Sequence, residues 1–218
     1  MKLGQKAMEA LKAEVTGSLK EGDSLVAAGE VALEGTALLV NKERAQLKKF
    51  FSEGFLHDAE KCAEIFGVRK EIILAKKEQC HAVCVMGTGG VLCALWKMAE
   101  ASGMGLEADL RQIPIRQETI EICERFDLDP YRLLSGGSVL LGTDRGRELA
   151  ESFCRSGIPA AVIGRAVRGN DRILYSGKIT RFLDRPGQDE ITKMPWGAGW
   201  RTTGIFPGQE RKDAVWQD

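Results

Sequence analysis

The sequence predicts a domain built from both helices and strands, and three stretches carry that prediction. An apolar run, Val83–Met86, ends in a glycine-rich turn, and a helical pattern of buried positions begins directly after it. A second apolar run, Val139–Gly142, is followed by another helical pattern. Two β-prone runs, Arg172–Tyr175 and Lys178–Phe182, flank Ser176-Gly177, a pair typical of a two-residue hairpin turn.

The other predicted helices follow from apolar residues that recur three and four positions apart. They cover residues 1–16, Glu34–Val40, Glu43–Phe51, Phe55–Phe66, Arg116–Phe126, Tyr131–Leu134 and Thr143–Ser156. In the helix at 116–126, the spacing directs Ile120, Ile122 and Cys123 inward, so these three side chains are expected in the core.

Local signals place the ends of the last helix and the remaining strands. Thr143 or Asp144 is expected to begin that helix, and Gly157 follows its end, as glycine often does. Further strands are predicted at Ser24–Ala28, Leu106–Leu110 and Ile158–Val167. Between Val68 and Gln79 the pattern fits a helix and a strand equally well.

Composition and charge narrow the classes of function. The 218 residues are 44% hydrophobic and 28% charged, which suffices for a domain with a substantial core. The 31 basic and 31 acidic side chains cancel, so no overall field attracts nucleic acid or an anionic membrane. No apolar run has the length of a membrane span, and the amphipathic first residues are not signal-like. We therefore expect a cytoplasmic protein that binds neither nucleic acid nor membrane.

The six cysteines predict no metal site. Cys80-His81-x-x-Cys84 is the one spacing that invites a metal, but it lies in a predicted strand, where neighbouring side chains alternate between faces. No second Cys/His pair is available to complete a tetrahedral site. Buried free thiols that pack as small apolar groups are the favoured interpretation.

The turn Gly87-Thr88-Gly89-Gly90 is the main candidate for a binding site. Glycine lets the backbone approach a ligand closely, and the first N–H groups of a helix have no partners inside it. These donors and the helix dipole favour an anion, most often a phosphate. The motif is neither a Walker loop nor a complete dinucleotide fingerprint. Two interpretations stay open: contact with a phosphate, and a tight strand-to-helix turn without a ligand.

From Gly22 to about Glu190, the ordered series of motifs resembles the C-terminal domain of the AIR synthase-related (PurM/HypE-like) superfamily. The resemblance is closest to HypE-like hydrogenase maturation factors. The matching pieces are Leu33-Glu34-Gly35-Thr36, Gly89-Gly90-Val91, the run 94–103, Gly105-Leu106-Glu107, the run 113–118, Ile122-Cys123, Asp129-Pro130 and Ile163-Gly164. Their common order along most of the chain is more specific than any single glycine cluster.

The resemblance implies an α+β fold, an α/β sandwich in which helices pack against a mixed sheet. It also implies ATP in a dimeric cleft, with Mg²⁺ and phosphates held by the acids of an N-terminal domain that this chain is expected to lack. The family's His-Asp pair before the glycines is replaced by Cys84 and Val85, which cannot hold a Mg–phosphate cluster. Ser135 and Gly137 align with a small-residue turn of the family, so the implied phosphate or nucleotide site comprises six residues: Gly87, Thr88, Gly89, Gly90, Ser135 and Gly137.

Three functions follow as alternatives. The favoured one is a non-catalytic or accessory homologue that retains some phosphate or nucleotide contact and pairs with itself or with a full-length or N-terminal-domain relative. The second is a subunit of an ATP-dependent enzyme, with ATP and Mg²⁺ as cofactors, which a separate N-terminal domain completes. The third is a regulatory module that binds a small molecule. The expected organisation is a lead-in helix at 1–21, the domain at 22–190, and a tail with Trp, Gly and Pro at 191–218 that is either flexible or docked on a neighbouring surface.

Overall fold

The computed structural model describes residues 4–63 and 80–196, and these contain six α-helices and eight strands. The helices are α1 Gln5–Glu14, α2 Leu33–Leu47, α3 Glu53–Glu60, α4 Gly90–Ser102, α5 Gln117–Arg125 and α6 Gly146–Arg155. The strands are β1 Val15–Gly17, β2 Ser24–Ala28, β3 Ala82–Val85, β4 Gly105–Asp109, β5 Val139–Thr143, β6 Ala160–Val167, β7 Arg172–Ser176 and β8 Ile179–Phe182. The ambiguous stretch Val68–Gln79 lies outside the described residues.

All eight strands form one mixed sheet in the order β1-β3-β5-β2-β6-β4-β7-β8. Only β4 and β7 run parallel, and the other neighbours are antiparallel. The strand β2 lies between β5 and β6 and pairs with both. A strand from early in the chain therefore lies in the interior of the sheet.

Helices cover both faces of the sheet. Side chains along a strand alternate between the two faces, so one strand contributes to the packing on both. Leu25 and Ala27 of β2 pack in the cluster that contains the apolar side of α4. Val26 and Ala28 point the other way, into the cluster with Phe153 of α6. The predicted α+β sandwich with a mixed sheet is confirmed.

A second core lies where α2, α3 and α5 meet. Its fully buried side chains include Leu39, Leu56 and Ile122. The helix α2 bends at Glu43, whose backbone angles (φ −113°, ψ 16°) are not helical. The sequence predicts two helices that meet near this residue, and the bend is the structural counterpart. Within the described ranges, no helix combines the length and apolar character that a membrane span requires.

Two details of the predicted elements differ from the structure. Ile120 is 39% exposed, because Thr119, Ile122 and Cys123 fill the buried side of α5. The hairpin turn between β7 and β8 is Gly177-Lys178, one residue later than predicted, because Ser176 is paired with Ile179.

The start of α6 also differs from the prediction. Thr143 is the last residue of β5, and the helix begins at Gly146 after Arg145, which provides no side-chain cap. Thr143 instead accepts a hydrogen bond of 3.2 Å from the Arg145 backbone N–H. Thr143, which has the sequence signature of an N-cap, thus stabilises the turn before the helix and does not cap the helix itself.

Candidate functional site

The glycine turn joins β3 to α4 and has the backbone shape that only glycine adopts readily. Gly89 (φ +79°) and Gly90 (φ +65°) are both in the left-handed region. A Cβ on Gly90 would lie 2.4 Å from the Tyr131 carbonyl oxygen, so the turn packs directly against the following segment. Since the N-cap Gly89 has no side chain, α4 begins without a cap of its own.

The structure brings the two predicted parts of the site together. The Ser135 backbone N–H donates a hydrogen bond of 3.1 Å to the Gly87 carbonyl. The Ser135 hydroxyl is fully buried, accepts from the Ala32 N–H (2.8 Å) and donates to the Leu133 carbonyl (2.8 Å). Ser135 therefore holds the loops around the turn in place and has its hydroxyl bonded within the protein.

Other positions of the predicted site have a different character. Thr88 is exposed, and Gly137 has a left-handed backbone (φ +90°). Between Ser135 and Gly137, the Gly136 N–H donates a hydrogen bond of 3.0 Å to the Glu34 carboxylate, which is 3% exposed. Glu34 therefore ties the start of α2 to this loop.

The decisive contact at the turn is made by Asp189, which is not among the site residues predicted from the sequence. Its carboxylate accepts hydrogen bonds from the backbone N–H groups of Gly89 (2.6 Å), Leu134 (3.3 Å) and Ile191 (2.9 Å). Asp189 is 4% exposed. The donor that a phosphate would use at the start of α4 is thus bonded to a carboxylate of the same chain.

Burial dominates the electrostatics of this carboxylate. Loss of water around Asp189 raises its pKa above the ordinary value, and the N–H groups of Gly89, Ile191 and Leu134 act in the opposite direction. The local sequence around Asp189, an aspartate two residues before the apolar Ile191, is typical of an N-cap. It does cap the short 3₁₀ helix Glu190–Lys193, but nothing local indicates its second contact with Gly89.

The chain from 186 to 196 covers the turn from outside. Gly187 and Gln188 line a narrow cleft beside Gly89 and Cys93, whose open volume is about 10 Å³. A single water molecule needs about this much space. In the described conformation the cleft beside Gly89 therefore has room for about one water molecule.

The residues in front of the turn do not fit a Mg²⁺ site. Cys84 is 1% exposed, and burial raises the pKa of its thiol to about 12. Val85 is 46% exposed and offers no oxygen. Among the described residues, no three His, Cys, Asp or Glu side chains are grouped as metal ligands. In the Cys80-His81-x-x-Cys84 stretch, His81 Nδ1 instead lies 2.8 Å from a carboxylate oxygen of the buried Asp23.

Sheet, helices and glycine turn together define a C-terminal domain of the AIR synthase-related class. The chain matches the family described as "AIR synthase related protein, C-terminal domain" over residues 20–176 and belongs to it.

Two curated relatives are similar to this chain over different lengths. The chain is 26% identical to a hydrogenase expression/formation protein of Methanocaldococcus jannaschii over 184 residues, which are 81% of this chain and 52% of the relative. It is 34% identical over 115 residues to the phosphoribosylformylglycinamidine synthase subunit PurL of Thermosynechococcus vestitus, covering 50% of this chain and 14% of PurL. The chain thus spans about half, or less, of the length of these relatives.

Among solved structures, the crystal structure of Escherichia coli HypE has the same fold. It superposes with a TM-score of 0.65 at 20% sequence identity, over 80% of this chain and 53% of HypE. At this identity the likeness establishes the fold and leaves the activity open.

Proposed function

We propose that this chain is a non-catalytic or accessory member of the AIR synthase-related family that works within a larger assembly. The observation that carries the proposal is the bond between the Gly89 N–H and the Asp189 carboxylate. An active phosphate cradle presents free backbone donors to its ligand, whereas this one is bonded to the chain's own acid. Residual phosphate or nucleotide contact at Gly87–Gly90 is then weak in the described conformation.

The chemistry of Cys84 and Val85 supports the same proposal. Catalysis of the family's ATP-dependent kind requires hard oxygen ligands for Mg²⁺ near the phosphates. A buried neutral thiol and a valine supply none. Such acids would have to come from another domain or protein.

Exposed apolar side chains on the sheet support the proposal that this chain binds a partner. Val85 at the end of β3 is 46% exposed, and Ile179 and Phe182 of the edge strand β8 are 68% and 66% exposed. An edge strand that carries exposed apolar side chains can pair with another chain. The partners we propose are a second copy of this chain and a relative with an N-terminal domain.

Titration calorimetry with ATP and Mg²⁺ tests the accessory role. The wild-type chain should give no saturable binding in the micromolar range and no release of phosphate from ATP. Micromolar affinity with a stoichiometry of one, or turnover by the chain alone, would refute the role. Sedimentation velocity provides the second measurement, since a strict monomer at high concentration would remove the self-pairing part of the proposal.

The alternative is a subunit of an ATP-dependent enzyme that a separate N-terminal domain completes. The bond between Ser135 and Gly87 supports it, because the two halves of the predicted site remain adjacent. The test is to mix the chain with the part of Escherichia coli HypE that it does not cover and to measure ATP hydrolysis. Hydrolysis in the mixture, and in neither component alone, would favour this alternative.

A further inference from the structure

We propose that residues 186–196, here called the strap, form a releasable latch on the glycine turn. In the latched state Asp189 occupies the place of an external anion, and inorganic phosphate or a phosphate ester reaches the Gly89 N–H only after the strap has left. The inference rests on the proposed function, because it concerns access of a phosphate group to that same turn.

The backbone N–H groups that bind the Asp189 carboxylate come from three separate parts of the chain. Gly89 belongs to the start of α4, Leu134 to the loop before β5, and Ile191 to the strap itself. Two of the three donors therefore come from the body of the domain. A tetrahedral anion with several acceptor oxygens can use the same Gly89 and Leu134 donors, so carboxylate and phosphate compete for one place.

The strap has anchors that do not depend on Asp189. Ile191 (1% exposed) and Met194 (7% exposed) pack into the second core with α2, α3 and α5. The Glu190 carboxylate accepts a hydrogen bond of 3.0 Å from the Asp129 N–H. The indole of Trp196 donates to Glu43. Separate variants can therefore weaken either the anion contact or the apolar anchor.

Closure by the strap is nearly complete. Asp189 is 4% exposed, and the cleft that Gly187 and Gln188 leave beside Gly89 has about 10 Å³ of open space. Burial of a carboxylate opposes the contact, while backbone hydrogen bonds favour it. The carboxylate contact and the apolar anchors therefore hold the latch together, and loss of either should open it.

The experiment follows the Gly89 and Leu134 amides in ¹⁵N–¹H spectra during titration with inorganic phosphate. It compares the full wild-type chain with Asp189→Ala and Ile191→Ser. The control is Asp144→Ala, which removes an exposed carboxylate just after β5, at the end of that strand away from the glycine turn. Asp189→Ala and Ile191→Ser should each bind phosphate about tenfold more tightly than wild type, since one charged hydrogen-bond competitor is lost or displaced. Asp144→Ala should match wild type.

Hydrogen exchange of the same proteins provides the readouts for folding and release. The β2 and β5 amides should stay protected in every variant, whereas residues 191–196 should exchange faster in Ile191→Ser. If Asp189→Ala does not fold, Ile191→Ser decides the matter, because it retains the carboxylate. Equal phosphate affinity in folded wild type and variants, an equal gain in Asp144→Ala, or shifts that spare Gly89 and Leu134 would each overturn the latch.

The outcomes separate the latch from the accessory role. Micromolar Mg–ATP binding by wild type with an unmoved Gly89 amide would end the accessory role and leave the latch intact. No gain of phosphate binding in the variants, together with no nucleotide binding by wild type, would end the latch and leave the accessory role.

Discussion

The indole nitrogen of Trp196 donates a hydrogen bond of 2.6 Å to the carboxylate of Glu43, at the residue where α2 bends. This contact joins the far end of the strap to the one non-helical residue inside α2. The strap is therefore fixed at two distant points, at the glycine turn through Asp189 and at the α2 bend through Trp196.

Replacing Trp196 with phenylalanine retains most of the ring and removes the donor. We expect a loss of about 1.5–3 kcal/mol in the free energy of unfolding, as for a hydrogen bond to a charged acceptor. Urea titrations of Trp196→Phe, Glu43→Ala and the double variant measure the coupling. If Trp196→Phe costs as much in the Glu43→Ala background as in wild type, the contact contributes nothing to stability.

The glycine turn offers a matched pair of substitutions. Gly90→Ala places a Cβ 2.4 Å from the Tyr131 carbonyl oxygen at a positive φ, whereas Gly87→Ala meets nothing within 4 Å. We expect Gly90→Ala to lower the free energy of unfolding by about 2–4 kcal/mol, from backbone strain and the clash. Gly87→Ala should stay within about 0.5 kcal/mol of wild type. Similar urea midpoints for the two variants would contradict this account of the turn.

The buried hydroxyls of Thr36 and Thr119 predict that removing one of them lowers the free energy of unfolding more than removing the other. They lie 2.9 Å apart, and the Thr36 hydroxyl donates to the Ala32 carbonyl. Thr119 is therefore the donor between the two hydroxyls. Thr119→Val removes that donor and should cost about 1 kcal/mol, whereas Thr36→Val leaves a buried donor without its acceptor and should cost about 2–3 kcal/mol. Thermal and urea unfolding of both variants measure the order, and the reverse order would refute the assignment.

The raised pKa of Asp189 predicts a pH dependence of stability. Because burial raises the pKa of this carboxyl above its ordinary value of 3.8, the folded state retains a proton that the unfolded state has lost. The free energy of unfolding should then decrease as pH rises from 3.8 through the folded-state value. Asp189→Asn removes this contribution, so its stability should fall less steeply than that of wild type over the same interval.

The contribution of Glu30 to the pH dependence must be separated from that of Asp189. Burial raises the pKa of Glu30 as well, the charge of Arg116 opposes this shift, and the charge of Glu118 adds to it. Glu30 is present in both proteins, so the difference between wild type and Asp189→Asn isolates Asp189. Parallel pH profiles for the two proteins would show that Asp189 titrates alike in the folded and unfolded states.

The six thiols predict a single fast alkylation site. Burial raises the pKa of Cys62 and Cys80 to about 11 and that of Cys84 and Cys123 to about 12, and the pKa of the buried Cys93 is also raised. Cys154 alone is exposed. Iodoacetamide at pH 8 should therefore add one group quickly, at Cys154, because the thiolate is the reacting species. Mass spectrometry of Cys154→Ser should show almost no fast labelling, and rapid labelling of that variant would contradict the raised pKa values of the other five thiols.

Local patterns sufficed for much of the fold, because helices, strands and turns depend on neighbouring residues. The strand before the glycine turn and the helix after it are observed at Ala82–Val85 and Gly90–Ser102, close to their predicted positions. The pattern misplaced Ile120, because Thr119, a polar residue, takes the buried position through its bond to Thr36. The spacing of apolar residues alone does not indicate that two hydroxyl groups are buried against each other.

The contact that defines the candidate site could not be predicted from spacing. Gly89 and Asp189 are 100 positions apart, and nothing in either local sequence specifies the other. The family resemblance directed attention to the glycines and to Ser135, but the strap lies at the far end of the matched motifs. Folding alone brings Asp189 to the turn.

The position of β2 in the sheet has a consequence for synthesis of the chain on the ribosome. This strand emerges early, yet its hydrogen-bonding partners are β5 and β6, which end at Thr143 and Val167. Until translation has passed Val167, β2 lacks at least one of its two partner strands, so the burial of Leu25 and Val26, two side chains with no accessible surface in the finished protein, is still incomplete. Chaperones that bind apolar segments thus have a long interval in which to engage this strand.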